Sequence, residues 1–116
     1  MAKITIYHNP RCSKSRQTLQ LLQDHGVEPT VVEYLKHPPD ASQLKRLLKM
    51  LGMKPRELIR KKEAEYRALG LDKVGLSDAA LIKVMVEHPV LIERPIVVAG
   101  GKAALGRPPE KVLDIV

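Results

Sequence analysis

Lys3-Ile4-Thr5-Ile6-Tyr7 alternates as a half-buried strand does, and Asn9-Pro10 breaks the alternation. From Ser13 the period changes: Ser15, Thr18, Leu19 and Leu22 fall on one helical stripe, and Gly26 supplies a C-terminal stop. Thr30-Val31-Val32-Glu33-Tyr34 then reads as a second strand. Two strands joined by a helix imply a parallel, right-handed crossover unit. Positions from about 40 to 90 read as helical. There Asp40 and Gln43 make a capping box ahead of Leu44, Leu47, Leu48 and Leu51, and Gly52 follows. Pro55 opens a short helix through Ile59, Lys62 to Leu69 forms another, and Ser77 caps a third, with Leu81, Val84 and Met85 facing inward, which Pro89 ends. Ile96–Ala99 and Lys102–Leu105 flank Gly100-Gly101 as a hairpin, and a terminal helix starts at Pro108 or Pro109 and runs through Ile115.

The order β-α-β, helical block, β-β-α predicts an α/β chain with a thioredoxin-like fold: a four-stranded mixed sheet, flanking helices and a helical insertion at about 40–90. At 116 residues and 44% apolar content, one compact domain without a linker is expected. No apolar run approaches the roughly 18 residues of a membrane span, and Met1-Ala2-Lys3 leads into a strand pattern rather than a signal peptide. Together with a single cysteine, which cannot close an internal disulfide, this favours a reducing compartment, and the cytoplasm is expected. The formal charge of +7 favours anionic partners. Nucleic acid is not among them: with three Tyr and no Phe or Trp, stacking platforms are nearly absent, and no zinc-finger or RNP-type motif occurs.

The chemistry concentrates in His8-Asn9-Pro10-Arg11-Cys12-Ser13-Lys14-Ser15-Arg16. Cys12 falls in a strand-to-helix turn, beside a helix N-terminus whose unpaired N–H groups and partial positive charge suit a thiolate or a bound anion. Arg11, Lys14, Arg16 and His8 are expected to add to that field. Lowering a thiol pKa by about two units raises the thiolate fraction at neutral pH ~25-fold but weakens each thiolate about 6–10-fold, a net gain of only about threefold. So much charge is better explained if it also holds an oxyanion against the sulfur. A buried structural thiol fits a polar, proline-broken turn poorly. A C-x5-R phosphate loop would need arginine where the chain has Thr18, and Cys12-Ser13-Lys14-Ser15 is C-x-x-S rather than a dithiol.

The nine-residue stretch resembles the H-N-P-x-C-x-x-S-R signature of the glutaredoxin-linked arsenate reductase family, in its compact branch. The likeness extends over nearly the whole chain, through an arginine in Leu58-Ile59-Arg60, one in Ile92-Glu93-Arg94-Pro95-Ile96 and one in Leu105-Gly106-Arg107-Pro108-Pro109. Ser13-Lys14 stands where well-studied relatives have Gly-Thr, and the chain is shorter than theirs.

The resemblance implies that Cys12 attacks arsenate or a similar oxyanion, that Arg60, Arg94 and Arg107 bind it, and that His8, Asn9, Ser15, Arg16 and a cis Pro95 support the loop. It implies glutathione as co-substrate, glutaredoxin as protein partner, no bound cofactor and no metal; a monomer is expected. The single cysteine independently fits a route that recruits external thiols. From pattern alone, Arg60 in Arg60-Lys61-Lys62 reads as solvated helix surface, whereas Arg94 interrupts an apolar run before a proline and a buried strand. Two rival classes remain open. One is an Spx-like transcription regulator binding RNA polymerase, although the C-x-x-C switch of that group is missing; the other is a monothiol glutaredoxin-like transferase.

Overall fold

The computed structural model describes residues 3–71 and 76–116, so the Met1-Ala2 lead-in lies outside the described residues. The chain divides into two compact units, one formed by Met1–His37 with Arg94–Val116 and the other by Pro38–Glu93.

The first unit is built on a four-stranded sheet in the order β2-β1-β3-β4, with β1 at Ile4–His8, β2 at Thr30–Glu33, β3 at Ile96–Ala99 and β4 at Lys102–Leu105. The first helix, α1 (Ser13–Asp24), makes the crossover between β1 and β2, which pair in parallel, and β3 runs antiparallel to both β1 and β4. This is the expected thioredoxin-like mixed sheet. Its core is the cluster Ile6, Leu22, Val97 and Val112, all fully buried, with Ile4, Leu19, Val27, Ala104 and Ile115 packed around it. One side chain each from β1, α1, β3 and the C-terminal segment meet there, so apolar burial fastens every layer of the unit at one point. On the stripe of α1, Ser15 and Thr18 are buried with Leu22 although both are polar. The terminal segment winds as a 3-10 helix over Pro109–Asp114 rather than as an α-helix. Pro108 and Pro109 leave no N–H at its start, and the few residues that follow are too short a run to propagate an α-helix.

The β3–β4 turn is the two residues Gly100-Gly101, with Gly100 in the left-handed region at φ 63°, where a side chain would be strained. Pairing runs Ala99 with Lys102 through Ile96 with Leu105. It continues past the strands: the Gly106 N–H donates to the Pro95 carbonyl at 3.0 Å. Arg94 and Arg107, each six positions from the nearer turn glycine, therefore stand opposite one another on the extended hairpin.

The second unit is helical: α2 (Ala41–Leu51), α3 (Pro55–Leu58), α4 (Ala64–Ala68), α5 (Asp78–Glu87) and a 3-10 turn over Pro89–Leu91. The expected capping box of α2 is present in both directions, with Asp40 accepting the Gln43 N–H at 2.8 Å and Gln43 accepting the Asp40 N–H at 3.0 Å. Leu44, Leu47 and Leu48 are buried, as are Leu81 and Met85 of α5. The third apolar position buried on α5 is Ile82 rather than Val84, which is only half-buried. An antiparallel bridge between Ile59 and Ile92 draws the ends of this unit together, with Glu93 N–H donating to Leu58 O at 3.0 Å and Arg60 N–H to Leu91 O at 2.7 Å.

Replacing the reciprocal cap is expected to be felt as stability alone: Asp40→Ala should lower the unfolding free energy by about 1 kcal/mol in urea titrations. A change within ~0.2 kcal/mol of zero would mean that the box is redundant with tertiary packing.

Candidate active site

Cys12 is the N-cap residue of α1, with extended backbone (φ −91°, ψ 122°), and its side chain makes no capping hydrogen bond to the backbone of the first turn in the usual oxygen manner. The turn that delivers it is closed by its own polar groups. The Cys12 N–H donates to Asn9 O at 3.0 Å, and Asn9 Oδ1 accepts the Arg11 N–H at 3.0 Å, an Asx-type closure that explains asparagine ahead of proline here. Arg16 reaches back from α1 and donates from Nη1 to Pro10 O at 2.9 Å.

Beneath the turn lies a buried polar hub. Ser15 Oγ, fully buried, accepts the Asn9 N–H at 3.0 Å and lies 2.6 Å from His8 Nδ1. Donating its hydroxyl proton to Nδ1 uses both functions of Ser15 at once, and it leaves the imidazole proton on Nε2. The protonation of His8 agrees: burial lowers its pKa, the neighbouring Glu33 raises it and Arg16 lowers it, and the net shift is downward. His8 is thus a neutral acceptor at ordinary pH. The expectation that it adds positive charge near the thiol is corrected by its burial at the end of β1.

The sulfur itself is a contest between opposing effects. Partial burial pushes the Cys12 thiol up; the Ser15 N–H, the Arg94 guanidinium through both a hydrogen bond and its charge, and the Lys14 N–H pull it down, and the second group wins. Arg107 stands on the same sulfur, with Nη2 3.8 Å from Sγ, while its Nε donates to the Arg94 carbonyl at 2.8 Å. The charge on the thiol therefore comes from the hairpin. The expected contribution from Arg11, Lys14 and Arg16 is corrected in the same way, because Arg11 and Lys14 are exposed and the Arg16 guanidinium is engaged with Pro10. Since the thiol pKa is lowered on folding, its ionisation stabilises the fold above the ordinary thiol range, and that contribution fades as pH falls through the lowered value.

Of the remaining expected residues, Pro95 is buried and its bond to Arg94 is cis; the Arg107-Pro108 bond is cis as well. Arg60 lies in the helical unit, where it is half-buried and ion-paired to Glu63 at 3.0 Å and to Glu93 at 2.5 Å. It is not the freely solvated surface residue that a basic run suggests. Sequence reasoning missed Thr18, which is fully buried and donates to the Lys14 carbonyl at 2.8 Å. Its signal was a threonine that shares the inward stripe of α1 with Ser15, Leu19 and Leu22. Among the described residues no group of three or more His, Cys, Asp or Glu could hold a metal ion, and no helix is long and apolar enough to cross a membrane.

If Arg94 lowers the thiol pKa, the pH midpoint for alkylation of Cys12 by iodoacetamide should lie below the ordinary thiol range and should move upward in Arg94→Ala. An unchanged midpoint would assign the lowering to the helix N–H groups alone.

The chain as a whole is similar to known proteins. The pattern of the ArsC family matches residues 7–115. An uncharacterized Escherichia coli K12 protein, YfgD, is 61% identical over 115 residues, covering 98% of this chain and 97% of that one. An arsenate reductase of Neisseria meningitidis serogroup A is 50% identical over 113 residues, covering 97% of each. The solved arsenate reductase of Vibrio cholerae superposes with a TM-score of 0.96 at 52% identity, over 99% of this chain and 98% of that one. Matched from the end of β1 to within one residue of its C-terminus, the chain belongs to the ArsC family.

Proposed function

We propose that this protein is an arsenate reductase in which Cys12 is the nucleophile and glutathione and glutaredoxin supply the electrons. The observation that carries the reading is a single thiol, its pKa lowered, held between a helix start and the guanidiniums of Arg94 and Arg107. The arsenate reductases among its relatives, about half identical along nearly their whole length, support the choice of oxyanion.

In this mechanism Arg94 and Arg107 bind the arsenate oxygens and bring arsenic onto the sulfur. The Cys12 thiolate forms an S–As bond, and one arsenate oxygen takes up a proton and leaves as water. Glutathione then displaces a second arsenic oxygen through its sulfur, and the thiol proton leaves with that oxygen as water. A glutaredoxin thiolate then removes the glutathione as a mixed disulfide; two electrons pass to arsenic, which goes from As(V) to As(III), and hydrolysis releases arsenite and the Cys12 thiol. The chain's own part is positioning and charge: proximity and a fixed cationic pair lower the barrier to S–As bond formation far more than thiol ionisation can. His8, Asn9, Ser15, Arg16 and Pro95 are assigned to holding the turn, through the bonds described above. Arg60 is assigned to the oxyanion on family resemblance. Its two carboxylate partners compete with an anionic ligand, so its contribution should be the smallest of the three arginines. Glutathione as the electron source fits an activity in the cytoplasm.

The decisive assay is arsenate-dependent NADPH oxidation coupled through glutathione, glutaredoxin and glutathione reductase. Cys12→Ser should abolish it, and equal rates in the two proteins would sink the mechanism. Arg94→Ala and Arg107→Ala should each raise the KM for arsenate by about 10-fold or more, as for the loss of a charge-assisted bond of roughly 1.5–3 kcal/mol, with less effect from Arg60→Ala.

A further inference from the structure

The pairing that brings Arg94 opposite Arg107 passes through Gly106, which is buried. Its missing side chain is a steric requirement. A Cβ built at Gly106 would collide with Thr18 Oγ1, would come within 2.7 Å of Pro95 Cγ, and would come within 3.1 Å of Thr18 Cγ2. Thr18 has no room to give, since it is fully buried and its Oγ1 is bonded to the Lys14 carbonyl in the first turns of the Cys12 helix. Pro95 is fixed on the other side, with its carbonyl accepting the Gly106 N–H. Gly106 is therefore where the extended hairpin is pressed directly against the helix that carries the thiol.

We propose that Gly106 is a positioning residue whose bare backbone sets the distance between the Arg94–Arg107 pair and the Cys12 sulfur. Any side chain at 106 must lift the Gly106-Arg107 segment away from α1 or from Pro95. Either displacement disturbs the Arg107 Nε bond to the Arg94 carbonyl and draws Nη2 back from Sγ, which it now approaches to 3.8 Å. Gly106 itself touches neither substrate nor sulfur in this scheme; it acts through Arg107. The inference rests on the proposed oxyanion role only for its effect on turnover, because its effect on the charge felt by the thiol holds for any substrate.

Two alkylating agents separate these effects. Iodoacetate is anionic and iodoacetamide neutral, so the ratio of their rates with Cys12 reports the positive charge facing the sulfur. In Gly106→Ala this ratio should fall about threefold or more, as expected when a cation a few ångströms from the sulfur retreats. The KM for arsenate should rise about 10-fold, with a smaller change in kcat. Adding Thr18→Ala removes both threonine atoms that the new methyl meets, so the double variant should recover a large part of the ratio relative to Gly106→Ala, with Thr18→Ala alone as the reference. A folded Gly106→Ala with an unchanged ratio overturns the proposal. So does a pair of variants, single and double, that both fail to fold, since Gly106 would then serve the fold rather than the arginines. A fallen ratio in a protein whose wild type shows no arsenate turnover would leave the positioning role intact and reject the proposed reaction instead.

Discussion

The register of one short hairpin governs the site. Two glycines fix where the chain turns, every pairing downstream follows from that point, and Arg94 and Arg107 meet because they are equidistant from it. Shifting the turn by one residue would exchange the faces of all side chains on one strand and would separate the arginines. The backbone supports the match beyond the strands, through the Gly106–Pro95 bond and then through the side chain of Arg107 onto the Arg94 carbonyl. Two like charges brought together in this way repel, and ionisation of the thiol they face supplies a counter-charge, which is why they lower its pKa.

The helix side of the site works differently. There the groups that favour the thiolate are backbone N–H donors of Ser15 and Lys14, fixed by the helix itself, and their aim depends on the turn before them. Ser15 links the two: its N–H faces the sulfur, while its hydroxyl, with Asn9 and His8, secures the turn from below. Removing the hydroxyl would leave His8 Nδ1 and the Asn9 N–H without this partner in a buried place, which is why polar residues occupy positions that the α1 stripe could have given to leucine.

Much of this was legible beforehand for identifiable reasons. The strands, the capping box of α2 and the two-glycine turn are local devices, and local chemistry dictates them. Cys12 stood out because a lone thiol in a basic, proline-broken turn has few structural uses. The source of its positive charge was misread because sequence neighbours are not spatial neighbours: Arg11 and Lys14 adjoin Cys12 in the chain and point to solvent, whereas the guanidiniums at the sulfur come from more than eighty residues away. The neutral state of His8 depends on burial, which an isolated strand end does not advertise. The half-burial of Val84 is set by tertiary packing rather than by propensity, whereas the 3-10 form of the terminal segment follows from its two prolines and its shortness.

Thr18 occupies the position at which a C-x5-R loop would carry its anion-binding arginine. In this fold that position is fully buried and packed against Gly106, so a longer side chain there would meet the hairpin. An arginine at position 18 of the helix and the hairpin that carries Arg94 and Arg107 to the cysteine thus compete for one small volume. Any longer side chain at position 18 would therefore cost the packing of the helix against the hairpin.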